Sequence, residues 1–151
     1  MMDNTFFMRE ALREALKSYE KNEVPVGCVI VKDGCIIARA HNNREFSNDP
    51  LGHAELIAIR KAATILDSWR LVGCDMYVSL EPCIMCTGAI MDSRIENLFI
   101  GASDSKRGCV SSYLPILEKR MIPHNVSYQY MDTSSSYILK RFFKKLRRLK
   151  R

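Results

Sequence analysis

Two short stretches of this chain carry residue types that can hold a metal ion: Pro82-Cys83-Ile84-Met85-Cys86 and His53-Ala54-Glu55. A Cys-x-x-Cys pair puts two thiols on one side of a helical turn. The positive end of a helix lowers their pKa, so they can ligate as thiolates. His53 adds a nitrogen. Cys28, Cys35, Cys74, Cys109, His41 and His124 stand singly, so three ligands are evident and no fourth. Structural zinc usually closes with four protein ligands, whereas catalytic zinc keeps three and an open position. Water in such a position has its pKa lowered toward about 7. Glu55, two residues after the histidine, has no ligand role left to fill and suits a proton shuttle beside that water.

Taken alone, Cys83 and Cys86 are as readily a redox pair or half of a zinc knuckle. A lone histidine is more often a buried or surface residue than a ligand. The two motifs together and in this order set those readings aside. His-x-Glu followed by Pro-Cys-x-x-Cys is the established signature of zinc-dependent nucleobase deaminases, and the assignment to that class rests on it.

The elements that must position these groups follow from periodicity. Residues 5 to 20 read as a helix with Met8, Leu12, Ala15, Leu16 and Tyr19 inward and Arg9, Glu10, Arg13, Glu14 and Lys17 outward. Cys28 to Val31 and Cys35 to Ala38 read as strands joined by the Asp33-Gly34 hairpin signal. Residues 41 to 52 are a polar loop, and a helix runs from His53 to about Leu66. Met76 to Leu80 is a strand, followed by a helix from Cys83 to about Met91 and a strand at Leu98 to Gly101. This strand-helix-strand unit predicts parallel pairing. A Ser- and Gly-rich loop from Ala102 to Tyr113 rims the site, with a short helix expected at Leu114 to Glu118. A fifth strand spans Val126 to Tyr130, and a last helix, about 135–149, turns Leu139, Phe142, Phe143 and Leu146 inward. The expectation is an α/β fold in one domain over residues 1–151, a three-layer α/β/α sandwich around a mixed five-stranded sheet.

Composition bounds the setting. Nearly half of the residues are apolar, 47%, enough for a sizeable core, and no long apolar run is present to span a membrane. Met1-Met2-Asp3-Asn4 does not open a signal peptide. Six irregularly spaced cysteines argue for a reducing compartment, with the cytoplasm as the expectation. The net charge is +6, but residues 140 to 151 carry eight basic residues and no acidic one, leaving the rest at −2. A basic end invites a polyanion, although an isolated charge run is also simply a solvated tail.

The chain resembles the bacterial tRNA adenosine deaminases nearly end to end. The stretches that carry this are Glu23-Val24-Pro25-Val26-Gly27, Ala40-His41-Asn42, His53-Ala54-Glu55, Trp69-Arg70-Leu71, Leu80-Glu81-Pro82-Cys83-Ile84-Met85-Cys86, Ser93-Arg94-Ile95 and Phe142-Phe143. The zinc motif alone covers the cytidine deaminase superfamily; the Val-Pro-Val-Gly strand, the Phe-Phe helix and the length narrow it to the tRNA branch. The resemblance implies a cytidine deaminase-like fold, one Zn2+ per subunit on His53, Cys83 and Cys86, and Glu55 as the catalytic proton shuttle. It places Asn42, Val24 and Ala54 around the flipped nucleoside. Asp104 and Lys106 fall in an anticodon-contacting loop, and Phe143 in an RNA-contacting C-terminal helix. Asn42 equally suits a loop cap, and Phe142 and Phe143 equally suit the core. Gly52, Ser111 and Pro123 depart from the family's usual residues.

The implied reaction is hydrolytic deamination of the wobble adenosine in a tRNA anticodon stem-loop, by resemblance that of an arginine tRNA, carried out by a homodimer. The rival is a small-molecule nucleobase or nucleoside deaminase of the guanine or cytosine type, which shares every metal-site residue but has no use for eight clustered cations. A zinc-stabilised binding module is a further alternative, against which Glu55 argues.

Overall fold

Alternation along the first strands divides the molecule into two packed faces. In the computed structural model, which describes residues 2–131 and 134–151, Cys28 and Ile30 face one core and Val29 and Val31 the other. The elements in order are α1 (Asn4–Glu20), β1 (Gly27–Lys32), β2 (Cys35–His41), α2 (Ala54–Leu66) and β3 (Cys74–Leu80). There follow α3 (Ile84–Asp92), β4 (Asn97–Ala102), β5 (Ser127–Tyr130) and α4 (Ser135–Leu149). The sheet order is β2-β1-β3-β4-β5. β1 is antiparallel to both neighbours, and β3, β4 and β5 run parallel. The sheet is therefore mixed and five-stranded, as expected.

The first core joins Ala54, Ala58 and Ala62 of α2 and Ile90 and Met91 of α3 to Ile30, Met76, Val78, Leu98 and Ile100 of the sheet. Across the sheet, Phe7, Met8 and Ala11 of α1 pack on Val29, Val31 and Tyr77. Here α4 joins α1 against β3 and β4, which completes three layers. A Cβ at Gly27 would collide with the α1 backbone at Ala11 and Ala15, so glycine is what allows this helix to lie on β1. Asp33 (φ 49°) and Gly34 (φ 74°) supply the left-handed pair that the hairpin needs.

Four expectations are corrected. Glu10 and Glu14 are buried, because β2 brings cations to them: Arg39 lies 2.6 Å from Glu10, and His41 3.1 Å from Glu14. Leu16 is 44% exposed instead, since the buried stripe runs through Phe7, Ala11, Glu14 and Ser18. Leu114 to Glu118 forms turns and no helix. Leu117 and Glu118 give their amides back to the Val110 carbonyl, at 3.2 Å each, so these two amides do not enter a helical ladder. On α4, Phe142 is buried and meets Tyr19 of α1 edge-on at 6.1 Å, whereas Phe143 is 42% exposed. One short amphipathic helix resting on α1 hides a single aromatic of that pair.

Candidate active site

Both metal-binding motifs sit where a chain segment turns into a helix. His53 is the N-cap of α2 and Cys83 the N-cap of α3, and neither side chain makes a capping hydrogen bond. Each is thus free to point away from its own helix. Cys86 lies in the first turn of α3, buried. His53 Nδ1 is 3.6 Å from Cys83 Sγ and 3.5 Å from Cys86 Sγ, and the three donor atoms all lie within 4.8 Å of one another. A tetrahedral zinc with ordinary Zn–N and Zn–S lengths holds such N and S ligands about 3.6 Å apart. The donor set and its spacing therefore fit Zn2+. Among the described residues no other His, Cys, Asp or Glu joins the group, which leaves the fourth position to a small ligand.

Electrostatics at the two helix starts favour a cation between them. The Cys83 thiol is brought down to about 3, first by its hydrogen bond with Cys86 and, against burial, by His53. Cys86 moves the opposite way: its pairing with Cys83, then burial, then Glu55 all push it up. Bound zinc would hold both sulfurs as thiolates. Glu55 is 4% exposed, and burial pushes its carboxyl up, with the Cys83 charge adding to the effect. A carboxyl displaced toward neutrality is suited to taking and returning protons near pH 7.

These groups form the floor of a cavity of ≈ 120 Å³. Val24, Asn42, Ala54 and Asp104 line it, as do His53, Glu55 and Cys83. Asn42 is held by its own bonds: Nδ2 donates to the Val24 carbonyl at 3.0 Å, and Oδ1 accepts from the Arg44 amide at 3.2 Å. One amide hydrogen and one acceptor lone pair remain on Asn42 for a ligand. Asp104 turns its carboxylate onto the amides of Lys106 and Arg107, at 3.0 and 3.1 Å. Lys106 is exposed outside the cavity lining, and Phe143 lies on α4, also outside it.

Arg44, Glu45 and Arg107, together with the buried Glu23 and Glu81, also border the cavity and were not singled out in the sequence. The available signal was an acidic residue heading each of two apolar stretches, Glu23 before Val-Pro-Val-Gly and Glu81 before Pro-Cys. Gly52 packs beneath the loop before His53, where a Cβ would stand 3.1 Å from Arg44 Cα and from the Asp49 carbonyl. The absence of a side chain there relieves a tight contact.

Comparison with known proteins agrees with this geometry. The family described as cytidine and deoxycytidylate deaminase zinc-binding region matches residues 1–102. The tRNA-specific adenosine deaminase of Aquifex aeolicus (strain VF5) is 47% identical over 147 residues, 97% of each chain. A solved structure described for A-to-I editing by tRNA:A34 deaminases at the wobble position is 41% identical. It superimposes with a TM-score of 0.86 over 90% of this chain and 100% of its own. The guanine deaminase structure from Bacillus subtilis is 33% identical with a TM-score of 0.67, over 97% and 95% of the two chains. Half-buried His53 and the two cysteines, met at a pair of helix starts, lie within the matched zinc-binding region, and this chain belongs to the cytidine and deoxycytidylate deaminase family, on its tRNA-specific adenosine deaminase branch.

Proposed function

We propose that this chain hydrolytically deaminates adenosine to inosine at the wobble position of a tRNA anticodon. One observation carries the reading: an open His53-Cys83-Cys86 centre shares a small cavity with buried Glu55, in a chain 41% identical to a wobble-adenosine editor. His53, Cys83 and Cys86 would hold zinc, which when bound supplies Lewis acidity and lowers the pKa of water. Glu55 takes the first proton of the water whose oxygen bonds to C6 and passes it to purine N1. It then takes the proton left on the C6 hydroxyl and gives it to the exocyclic amine, so that the C6–N bond breaks, ammonia leaves and inosine remains. Asn42, fixed by Val24 and Arg44, offers its remaining donor and acceptor to the base, while Val24 and Ala54 bound the pocket. Asp104 and Lys106 meet the RNA at the rim. An unstacked base in a loop costs little to extrude, which suits an anticodon.

The rest of the chain fits a polyanion. α4 ends in a basic stretch whose cations grip phosphates, and half-exposed Phe143 is placed to touch a base or the backbone. In this reading the whole chain is one deaminase domain, the substrate is an arginine tRNA, the enzyme is a homodimer and the compartment is the cytoplasm. No helix among the described residues is long and apolar enough to cross a membrane. Inosine formation by the zinc-loaded protein on a wobble-adenosine stem-loop tests the proposal, beside free guanine, cytosine, cytidine and adenosine. Turnover on the stem-loop alone is expected; turnover on a free base alone would move the enzyme to nucleobase metabolism.

A further inference from the structure

Glu81 sits between β3 and the start of α3, where the cysteine ligands lie, yet its carboxylate faces the rim loop. It is 3% exposed. Oε1 accepts from the Asp104 amide at 3.1 Å and from the Ser112 hydroxyl at 2.5 Å. Oε2 accepts from the amides of Val110, Ser111 and Ser112, each at 3.1 Å. Both oxygens are thus engaged, by donors 23 to 31 residues further along the chain. Gly108 lies against the same carboxylate, where a Cβ would collide with it. The Cys109 amide closes the loop onto the Pro82 carbonyl at 2.9 Å.

A loop of this length with no ladder of its own needs an internal anchor to hold one shape. From the Glu81 bond at Asp104 the order passes on: Asp104 Oδ1 fixes the amides of Lys106 and Arg107 at 3.0 and 3.1 Å. Those residues stand at or beside the mouth, Asp104 and Arg107 lining the cavity.

We propose that Glu81 is a positioning residue for substrate specificity: its carboxylate nucleates the 104–112 loop and so sets Asp104 and Arg107 at the mouth of the active site. It acts on what the pocket admits and leaves the chemistry to Glu55. This rests on the reading of an RNA loop as the substrate that enters the cavity past this mouth.

The zinc-loaded full chain tests it in three variants. Glu81→Gln keeps the shape but turns an amide NH2 onto two or three N–H or O–H donors, whichever way the amide lies. Ser112→Ala removes the hydroxyl bond and leaves the backbone donors; Gly108→Ala pushes on the carboxylate from the loop side. For Glu81→Gln, KM on the stem-loop rises about tenfold or more while kcat changes less than about threefold, the pattern of lost substrate binding. Zinc content stays at the wild-type level, and trypsin cuts after Lys106 and Arg107 faster. The other two variants move KM and cleavage in the same direction by less. Combining Glu81→Gln with Gly108→Ala costs less than the product of the two, since both act on one contact. Unchanged KM and cleavage would overturn the proposal, as would a collapse of kcat with loss of zinc, which would make Glu81 a support of the metal centre. If Glu81→Gln does not fold, the remaining variants decide by the same readouts. A wild-type enzyme inactive on the stem-loop would refute the substrate reading, while the trypsin comparison would still decide whether Glu81 orders the loop.

Discussion

Four cations near the end of the chain follow the i, i+3, i+4, i+7 spacing: Lys144, Arg147 and Arg148 share a face of α4, Arg151 lies just past its C-cap, and all four are exposed. Lys145 is turned away, 5.0 Å over the Tyr19 ring. One strand of RNA running along this face would meet these four charges together. Replacing the four with glutamine keeps helix propensity, leaves Phe142 packed and does not touch the zinc ligands. Each phosphate contact on a single strand contributes about 0.7 to the slope of log K against log salt, so the slope falls by about 3. Between 50 and 200 mM salt the wild type should lose about 50-fold more affinity than the variant. Fluorescence anisotropy with a labelled stem-loop, in a Glu55→Ala background that slows turnover, reads both slopes. Parallel lines for the two proteins would refute the assignment of this face to RNA.

Glu55→Ala should retain zinc and fold while turnover falls by about 10²- to 10⁴-fold, the usual worth of a general acid-base group; near-normal inosine formation by mass spectrometry would sink its assigned role. Phe142→Ala should cost about 3 kcal/mol in urea unfolding by leaving a hole against Tyr19, whereas Phe143→Ala should cost less than about 1 kcal/mol and show its effect in stem-loop affinity. Burial alone would raise the Glu14 carboxyl, but Lys17 and His41 outweigh it and hold it below the ordinary 4.5. The stability from this group is present above about pH 4.5 and lost as pH falls through the lower folded value. Glu14→Gln should therefore flatten the acid limb of the urea midpoint against pH, and an unchanged limb would assign that loss to other carboxylates.

Much of the site is legible in one dimension because its ligands come in short motifs. Cys83 and Cys86 share one helical turn, and His53 and Glu55 another, so spacing alone relates their side chains. The Asp33-Gly34 turn and the β3-α3-β4 unit are local in the same sense. What escapes the sequence depends on partners far along the chain. Glu10 and Glu14 read as solvent-facing until β2 delivers Arg39 and His41. Glu81 reads as an incidental neighbour of Pro82 until the rim loop folds back onto it. Phe142 and Phe143 fit one apolar stripe, and only the docking of α4 beside Tyr19 separates them. The turn at Pro115 fails as a helix because Val110 claims its amides, a competition that propensity does not register.

Placing Cys83 just past the end of β3 ties the sulfur ligands to a chain segment already pinned by the sheet, while His53 heads α2 as its N-cap. Whatever happens further along α2 or α3, a lengthened helix or an altered C-terminus, leaves the geometry of the centre where it is. The stretches proposed to meet a substrate, residues 43 to 52 and 103 to 114, bear none of the three ligands. Chemistry and recognition thus fall to different residues, although the rim loop is bonded to Pro82 beside the cysteines. Such a scaffold can trade one amino-bearing ring for another, or a free base for a base within a polymer, by rebuilding its loops around an unmoved reaction centre.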